Sequence, residues 1–147
     1  MPHHIAWYIP NKVYYLQIWG ETGSEAALDI VSSLGELLGQ MPPTPVHGIV
    51  DLSRNIPGRL KIGDIIGEAK RLQPLTKYSA WTVVVVDQMA ITNKVIAAVA
   101  HVLGFPVQFF DETTLAMAFL NEKDASLPPL NALFRAYKAK YFPPESP

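Results

Sequence analysis

Apolar positions along this chain follow a strand-like alternation in some stretches and a helical period in others. Ile5 to Ile9 and Val13 to Trp19 are rich in aromatic and β-branched residues, and Pro10-Asn11-Lys12 between them is a short turn. Together they predict a β-hairpin. Thr22-Gly23-Ser24-Glu25 matches a capping box, in which Thr22 and Glu25 each satisfy a free backbone amide. Ala27, Ile30, Val31, Leu34, Leu37 and Leu38 then repeat at helical spacing, and Gly39 suits the C-terminal cap. Met41-Pro42-Pro43-Thr44-Pro45 forms a loop.

Val46 to Leu52 predicts a strand buried on both faces, because it is almost continuously apolar. It ends in Asp51-Leu52-Ser53, and Ser53 to Leu60 reads as a loop containing Pro57-Gly58. Ile62, Ile65, Ile66, Ala69 and Leu72 make a second helix stopped by Pro74. Gly63 and Gly67 weaken that helix by about 1 kcal/mol each relative to alanine, and close packing of the helix on the sheet explains them. Trp81 to Val86, with consecutive valines, is the strongest strand. Ile91, Val95, Ile96, Val99, Val102 and Leu103 form a third helix ended by Gly104. Val107 to Phe110 is a last strand, and Asp111 caps a fourth helix with Leu115, Ala118 and Phe119 on its inner face. The order β-β-α-β-α-β-α-β-α implies parallel strands joined by right-handed crossovers, with one antiparallel strand added by the opening hairpin.

From Asp124 onward the style changes. Prolines 128, 129, 143, 144 and 147 bracket a short amphipathic helix from Leu130 to Phe142. Leu130, Leu133, Phe134, Tyr137 and Tyr141 share one of its faces, and Arg135, Lys138 and Lys140 add positive charge. The expected organisation is an α/β unit over 1–123 and a proline-bracketed extension over 124–147.

Composition narrows the function classes. The chain has 147 residues, 49% of them hydrophobic and 17% charged, which fits one folded unit with a full core. The formal net charge is -1 and no basic stripe stands out, so no electrostatic footprint for nucleic acid is present. There is no cysteine, hence no disulfide, thiolate nucleophile or Cys-based zinc site. The first residues lack the basic region and long apolar core of a signal peptide. The run Ala80 to Val86 is far too short to span a bilayer. A soluble cytoplasmic protein is the expectation.

Three features carry a family resemblance. These are the element order, the strand end Ile49-Val50-Asp51-Leu52-Ser53 and the closing segment from Phe109-Phe110-Asp111 through Ala118-Phe119-Leu120. They resemble the STAS fold of anti-sigma-factor antagonists, and the stand-alone SpoIIAA-like group within it, which sits near the CRAL-TRIO lipid-binding domains. Trp7 and Ile18-Trp19-Gly20 also look like that group. The resemblance covers roughly residues 4 to 125, and its motifs are patterns of apolar and small residues. It implies a mixed sheet of about five strands with four helices mainly on one face, and a regulatory or ligand-sensing role more than catalysis. Antagonists of the phospho-switch type place a serine or threonine in an Asp-Ser-Ser/Thr-Gly-like motif after the central strand. This chain has Asn55-Ile56-Pro57-Gly58-Arg59-Leu60 there, and Ser53 matches the serine closing the strand motif. The departure argues against a conventional phospho-switch.

Asp51, Ser53, Arg54 and Arg59 cluster at one strand end. Two arginines can hold a carboxylate or phosphate bidentately; the alternative is that Asp51 and Ser53 bond to loop amides while the arginines are solvated. Ser53 has no base beside it and Gly-x-Ser-x-Gly is absent. His47 lies at the far end of the same strand, and His101 sits inside a helix, so both read as structural. His3 and His4 are adjacent on a strand and point to opposite faces, and no second ligand group follows, so no metal is expected. Asp87 reads as a loop or cap residue. No phosphate-binding glycine motif occurs, and no cofactor is expected.

Trp7, Tyr8, Tyr14, Tyr15 and Trp19 crowd the hairpin. If helices cover one face only, some of these rings are exposed and mark a partner surface; otherwise they are ordinary cross-strand pairs. The tail helix docks on its own domain, crosses to another subunit or reaches a different partner. The resulting expectation is a non-enzymatic SpoIIAA-like interaction module, self-associating as a homodimer through Trp7, Tyr15, Trp19, Phe134, Tyr137 and Tyr141. The alternative is a carrier or sensor of a small apolar ligand or lipid, held between the sheet and helices carrying Ile62, Ile65, Ile66, Ile91, Val95 and Val99.

Overall fold

The computed structural model of the chain describes residues 3–39, 45–57, 62–71, 79–86, 97, 101, 104 and 106–141. Strands β1 (His3–Ile9) and β2 (Val13–Thr22) form the expected hairpin. The chain continues through α1 (Ser24–Gly39), β3 (Val46–Pro57), α2 (Ile62–Arg71), β4 (Ser79–Val85), β5 (Val107–Phe110), α3 (Thr113–Lys123) and α4 (Leu130–Tyr141). The hairpin turns because Asn11 adopts a positive φ of 61°, which asparagine tolerates, and the Lys12 amide donates to the Ile9 carbonyl at 3.0 Å.

The five strands lie in the order β1-β2-β3-β4-β5. β1 and β2 are antiparallel, and β2, β3, β4 and β5 are mutually parallel. Each parallel strand is therefore added beside the previous one in a single direction. Right-handed crossovers that step in one direction leave their helices on one face. Accordingly α1 packs on β1 and β2, and α2 packs on α1. Among the described residues no strand follows α3, so it is free of that rule and packs on β3, β4 and β5 from the other side, with α4 against it.

The core divides in two as the strand alternation requires. On the α1 face, Tyr14, Leu16, Ile18, Val46, Leu52 and Val84 meet Ile30. On the opposite face, Val13, Tyr15, Ile49, Val83 and Val85 meet Met117 and Leu120 of α3 and Leu130 and Tyr137 of α4. The expectation of helices mainly on one face is thus corrected: both faces are covered. Among the described residues the α/β unit has three helices rather than four, with α4 following in the tail. The expected helix over 91–103 lies outside the described residues except Ala97 and His101, which are helical.

Other boundaries differ for local reasons. β3 does not stop at Leu52 but continues to Pro57, because residues 54–57 keep pairing with 19–22 of β2. Thr22 is still paired with Pro57, and α1 begins at Ser24, so Thr22 is strand rather than helix cap. Glu112, not Asp111, is the N-cap of α3, and it makes no side-chain cap bond. The inward residues of α3 are Ala116, Met117 and Leu120, while Leu115 is 49% exposed. Gly63 and Gly67 are exposed on α2, so close packing does not account for them.

Candidate functional site at the carboxyl end of β3

β3 carries an irregularity where the sequence places its polar residues. Gln17 is opposite Asp51, but Trp19 is opposite Arg54, so β3 has one extra residue at Leu52-Ser53. Asp51 makes this bulge. Its Oδ1 accepts the Ser53 backbone amide at 3.0 Å and the Ser53 hydroxyl at 2.6 Å. Its Oδ2 accepts the Tyr15 hydroxyl at 2.8 Å. The carboxylate is buried, and each oxygen has a partner. Burial first, and then the neighbouring Asp51 carboxylate, push the Tyr15 phenol far above its ordinary value. Tyr15 is therefore a permanent donor that holds the strand end to β2.

The same unit recurs elsewhere. Asp124 Oδ1 accepts the Ser126 amide at 3.0 Å and the Ser126 hydroxyl at 2.6 Å, in the connector between α3 and α4. Two Asp-x-Ser segments with matching geometry in unrelated settings mark a local turn in which aspartate satisfies the amide two residues on. The short Ser53 contact is part of that turn.

His47 occupies the other end of β3 on the same face. Its Nε2 lies 2.9 Å from Asp124 Oδ2, and its Nδ1 accepts the Trp81 amide at 3.1 Å. Accepting at Nδ1 puts the proton of the neutral ring on Nε2, which donates to Asp124. Both nitrogens are occupied in joining β3, β4 and the tail connector. The imidazole thus links three segments, and nothing local in the sequence pairs it with Asp124. The repeated Asp-x-Ser pattern was the available signal for Asp124 as an anchored position.

Arg54 is exposed, and Arg59 lies outside the described residues, so the two-arginine anion clamp has one described member. Asp87 also lies outside them. His3 Nε2 lies 3.1 Å from Ser33 Oγ on the α1 side, while His4 stands opposite Gln17. Among the described residues no group of three or more His, Cys, Asp or Glu is placed to hold a metal ion. No described helix is long and apolar enough to cross a membrane.

The predicted aromatic surface is dispersed by the fold. Tyr15 is fully buried, Tyr137 is buried, and Phe134 packs against the same cluster, because α4 lies on that sheet face. The Tyr8 and Tyr137 rings meet edge to face at 4.7 Å, and Tyr15 and Phe134 stack at 5.8 Å. These rings form core, which corrects the expectation of a partner surface there. Trp7 packs against the α1-face cluster, and the side chain of Tyr141 lies outside the described residues. Trp19 alone of the six stays largely open among the described side chains, at 39% exposed. Of the lipid-pocket candidates, only Ile66 has a described side chain, and it is half-buried.

Tyr8 donates its hydroxyl to the Leu130 carbonyl, fastening α4 to β1. Asn121 accepts the Leu130 amide at 3.0 Å and donates to the Pro128 carbonyl at 2.8 Å, so α3 caps the start of α4.

No protein-family model matches the chain, and no curated protein matches it in sequence. Among solved structures, it is similar to an uncharacterized protein from the DUF3478 family with a SpoIIAA-like fold, from Shewanella loihica PV-4. The identity is 13%, the TM-score is 0.55, and the match covers 80% of this chain and 94% of that one. The chain therefore has a SpoIIAA-like fold.

Proposed function

We propose that this chain is a non-enzymatic SpoIIAA-like module that acts through protein contacts. The observation that carries the reading is the pair formed by Trp19 and Arg54. They are register partners on adjacent parallel strands, so they present to the same side of the sheet, just beyond the Asp51 bulge. Both are exposed although each sits on a strand. Tryptophan and arginine are the residue types that most often supply the binding energy of an interface. Next to them along the strands, Asp51, Ser53 and Tyr15 are committed to bonds with one another, which supports a rigid contact surface rather than a reacting centre.

Native mass spectrometry of gently purified protein tests this. Assemblies made of protein alone support the module. A persistent added mass of lipid size would overturn it in favour of the apolar-ligand carrier and identify the ligand. Turnover of any substrate that is abolished by Asp51→Asn would overturn it in favour of an enzyme.

A further inference from the structure

A sheet edge presents a row of backbone N–H and C=O groups ready to pair with another strand, and proteins blunt it with charge, proline, brevity or a bulge. The two edges of this sheet differ sharply in that respect. β5 has four residues and is followed at once by Asp111 and Glu112. β1 has seven residues, His3-His4-Ile5-Ala6-Trp7-Tyr8-Ile9, with no Asp, Glu, Lys, Arg or Pro among them. Burial lowers the His3 imidazole below its ordinary value, so this ring adds no charge near neutral pH. Among the described residues, β1 is hydrogen-bonded only to β2, and its outer side faces no strand.

One irregularity interrupts β1. Trp7 is opposite Tyr14 and Ile9 opposite Val13, so Tyr8 is an extra residue. Tyr8 faces α4, and the bulge after Trp7 ends the regular run there. What remains is the straight segment His3 to Trp7, whose middle residue is Ile5.

We propose that two copies of this chain pair through the outer edges of β1, antiparallel about Ile5, into one continuous sheet. The inference rests on the protein-contact reading above and names the partner as a second copy. The register that uses the whole straight segment sets Ile5 against its own copy, His4 against Ala6 and His3 against Trp7. No like charges meet in that register, which is the condition an antiparallel self-pairing must satisfy. His3, Ile5 and Trp7 lie on the α1 face, so the two copies of α1 flank the two-fold axis. A C₂ interface of this kind is self-complementary and closed, and it leaves the short β5 edges outermost.

The chain contains no cysteine, so any single introduced cysteine reports only on contact between copies. Sedimentation velocity on the intact protein is expected to give the mass of two chains. Under mild oxidation, Ile5→Cys is expected to lose its monomer to a disulfide-linked dimer, while Gln108→Cys on the β5 edge stays monomeric. A mixture of His4→Cys and Ala6→Cys proteins is expected to cross-link between unlike chains, a register test that leaves Ile5 in place. A monomer at every concentration overturns the pairing while leaving a module for other partners standing. A dimer in which neither Ile5→Cys nor the His4→Cys and Ala6→Cys mixture cross-links overturns the β1 edge as its site.

Discussion

The imidazole of His47 and the carboxylate of Asp124 meet at 2.9 Å across 77 residues of sequence, tying the start of β3 to the connector that leads into α4. Asp124 thus serves the tail connector through one oxygen and the sheet through the other. Its carboxyl is held at about 2 rather than the usual 3.8, by the Ser126 hydroxyl first and the His47 bond next. A carboxylate whose folded pKa is depressed contributes stability that is full above the unfolded value and is lost as pH falls through the folded one. Urea denaturation is expected to show a loss of stability between pH 4 and pH 2 that shrinks in Asp124→Asn. An identical acid response in the two proteins would show that the contact does not contribute.

Tyr8 and Leu130 make a second tie where the connector enters α4. Tyr8→Phe keeps the ring among Tyr15, Phe134 and Tyr137 and removes only the hydroxyl donor. A buried hydrogen bond contributes about 1 kcal/mol, so the midpoint of chemical denaturation falls by a corresponding amount. Hydrogen exchange in α4 should accelerate more than in α1, since the lost bond belongs to α4. Equal exchange in both helices would contradict the docking role of Tyr8.

Asp51 and Ser53 should separate in their effects. Asp51→Ala leaves the buried Tyr15 hydroxyl without its acceptor and opens the bulge, at a cost of about 2–3 kcal/mol. Ser53→Ala leaves the amide contact to Asp51 intact at an exposed site and costs under about 1 kcal/mol. Thermal denaturation of both variants measures the difference. Equal losses would mean that the serine hydroxyl matters more than its turn role explains.

Gly48 and Tyr14 are register partners on β3 and β2, and the Tyr14 ring lies directly over the glycine. A Cβ at position 48 would overlap the ring at Cζ and Oη. Overpacking of this kind costs about 1–3 kcal/mol. Gly48→Ala is expected to destabilise by that much, and Tyr14→Leu in the same chain should recover part of the loss. A double-mutant cycle with no coupling would rule out the clash.

Alkaline pH should attack the tyrosines of the core. Burial raises the Tyr8 phenol from 10.0 to about 12 and does the same to Tyr14, while Tyr15 moves upward as well. A folded pKa raised above the unfolded one gives stability that is complete below pH 10 and declines as pH climbs toward 12. Tyrosinate absorbance and unfolding should therefore rise together over that window. Early ionisation of all the tyrosines in a folded protein would contradict their burial.

Much of the architecture was legible in the pattern of residues. The hairpin, the strand at Val46, the valine strand and the short strand at Val107 appear where alternation and apolar runs place them, in the expected order. Local chemistry was readable too, since Asp-x-Ser needs only its own three residues to close a turn. The errors fall where local signals compete with pairing. Ser53 to Pro57 looked like loop because of its polar residues and proline, yet β2 extended far enough to keep them in a ladder. Leu115 looked inward by its chemistry, whereas Ala116 and Met117 are the residues that fit against the sheet.

Periodicity states which residues share a face, because strand geometry alone sets that relation. It does not state what covers the face. Alternation left open whether Tyr8 shares a face with Tyr14 or with Tyr15, and only the fold decided that it joins Tyr15 and that α4 closes over both, which makes them core. The same holds for His47 with Asp124 and for Tyr15 with Asp51. Such pairs are made by the folding back of segments distant in sequence, and their energy comes from shape and hydrogen-bond complementarity that exists only once the sheet and both of its helical layers are assembled.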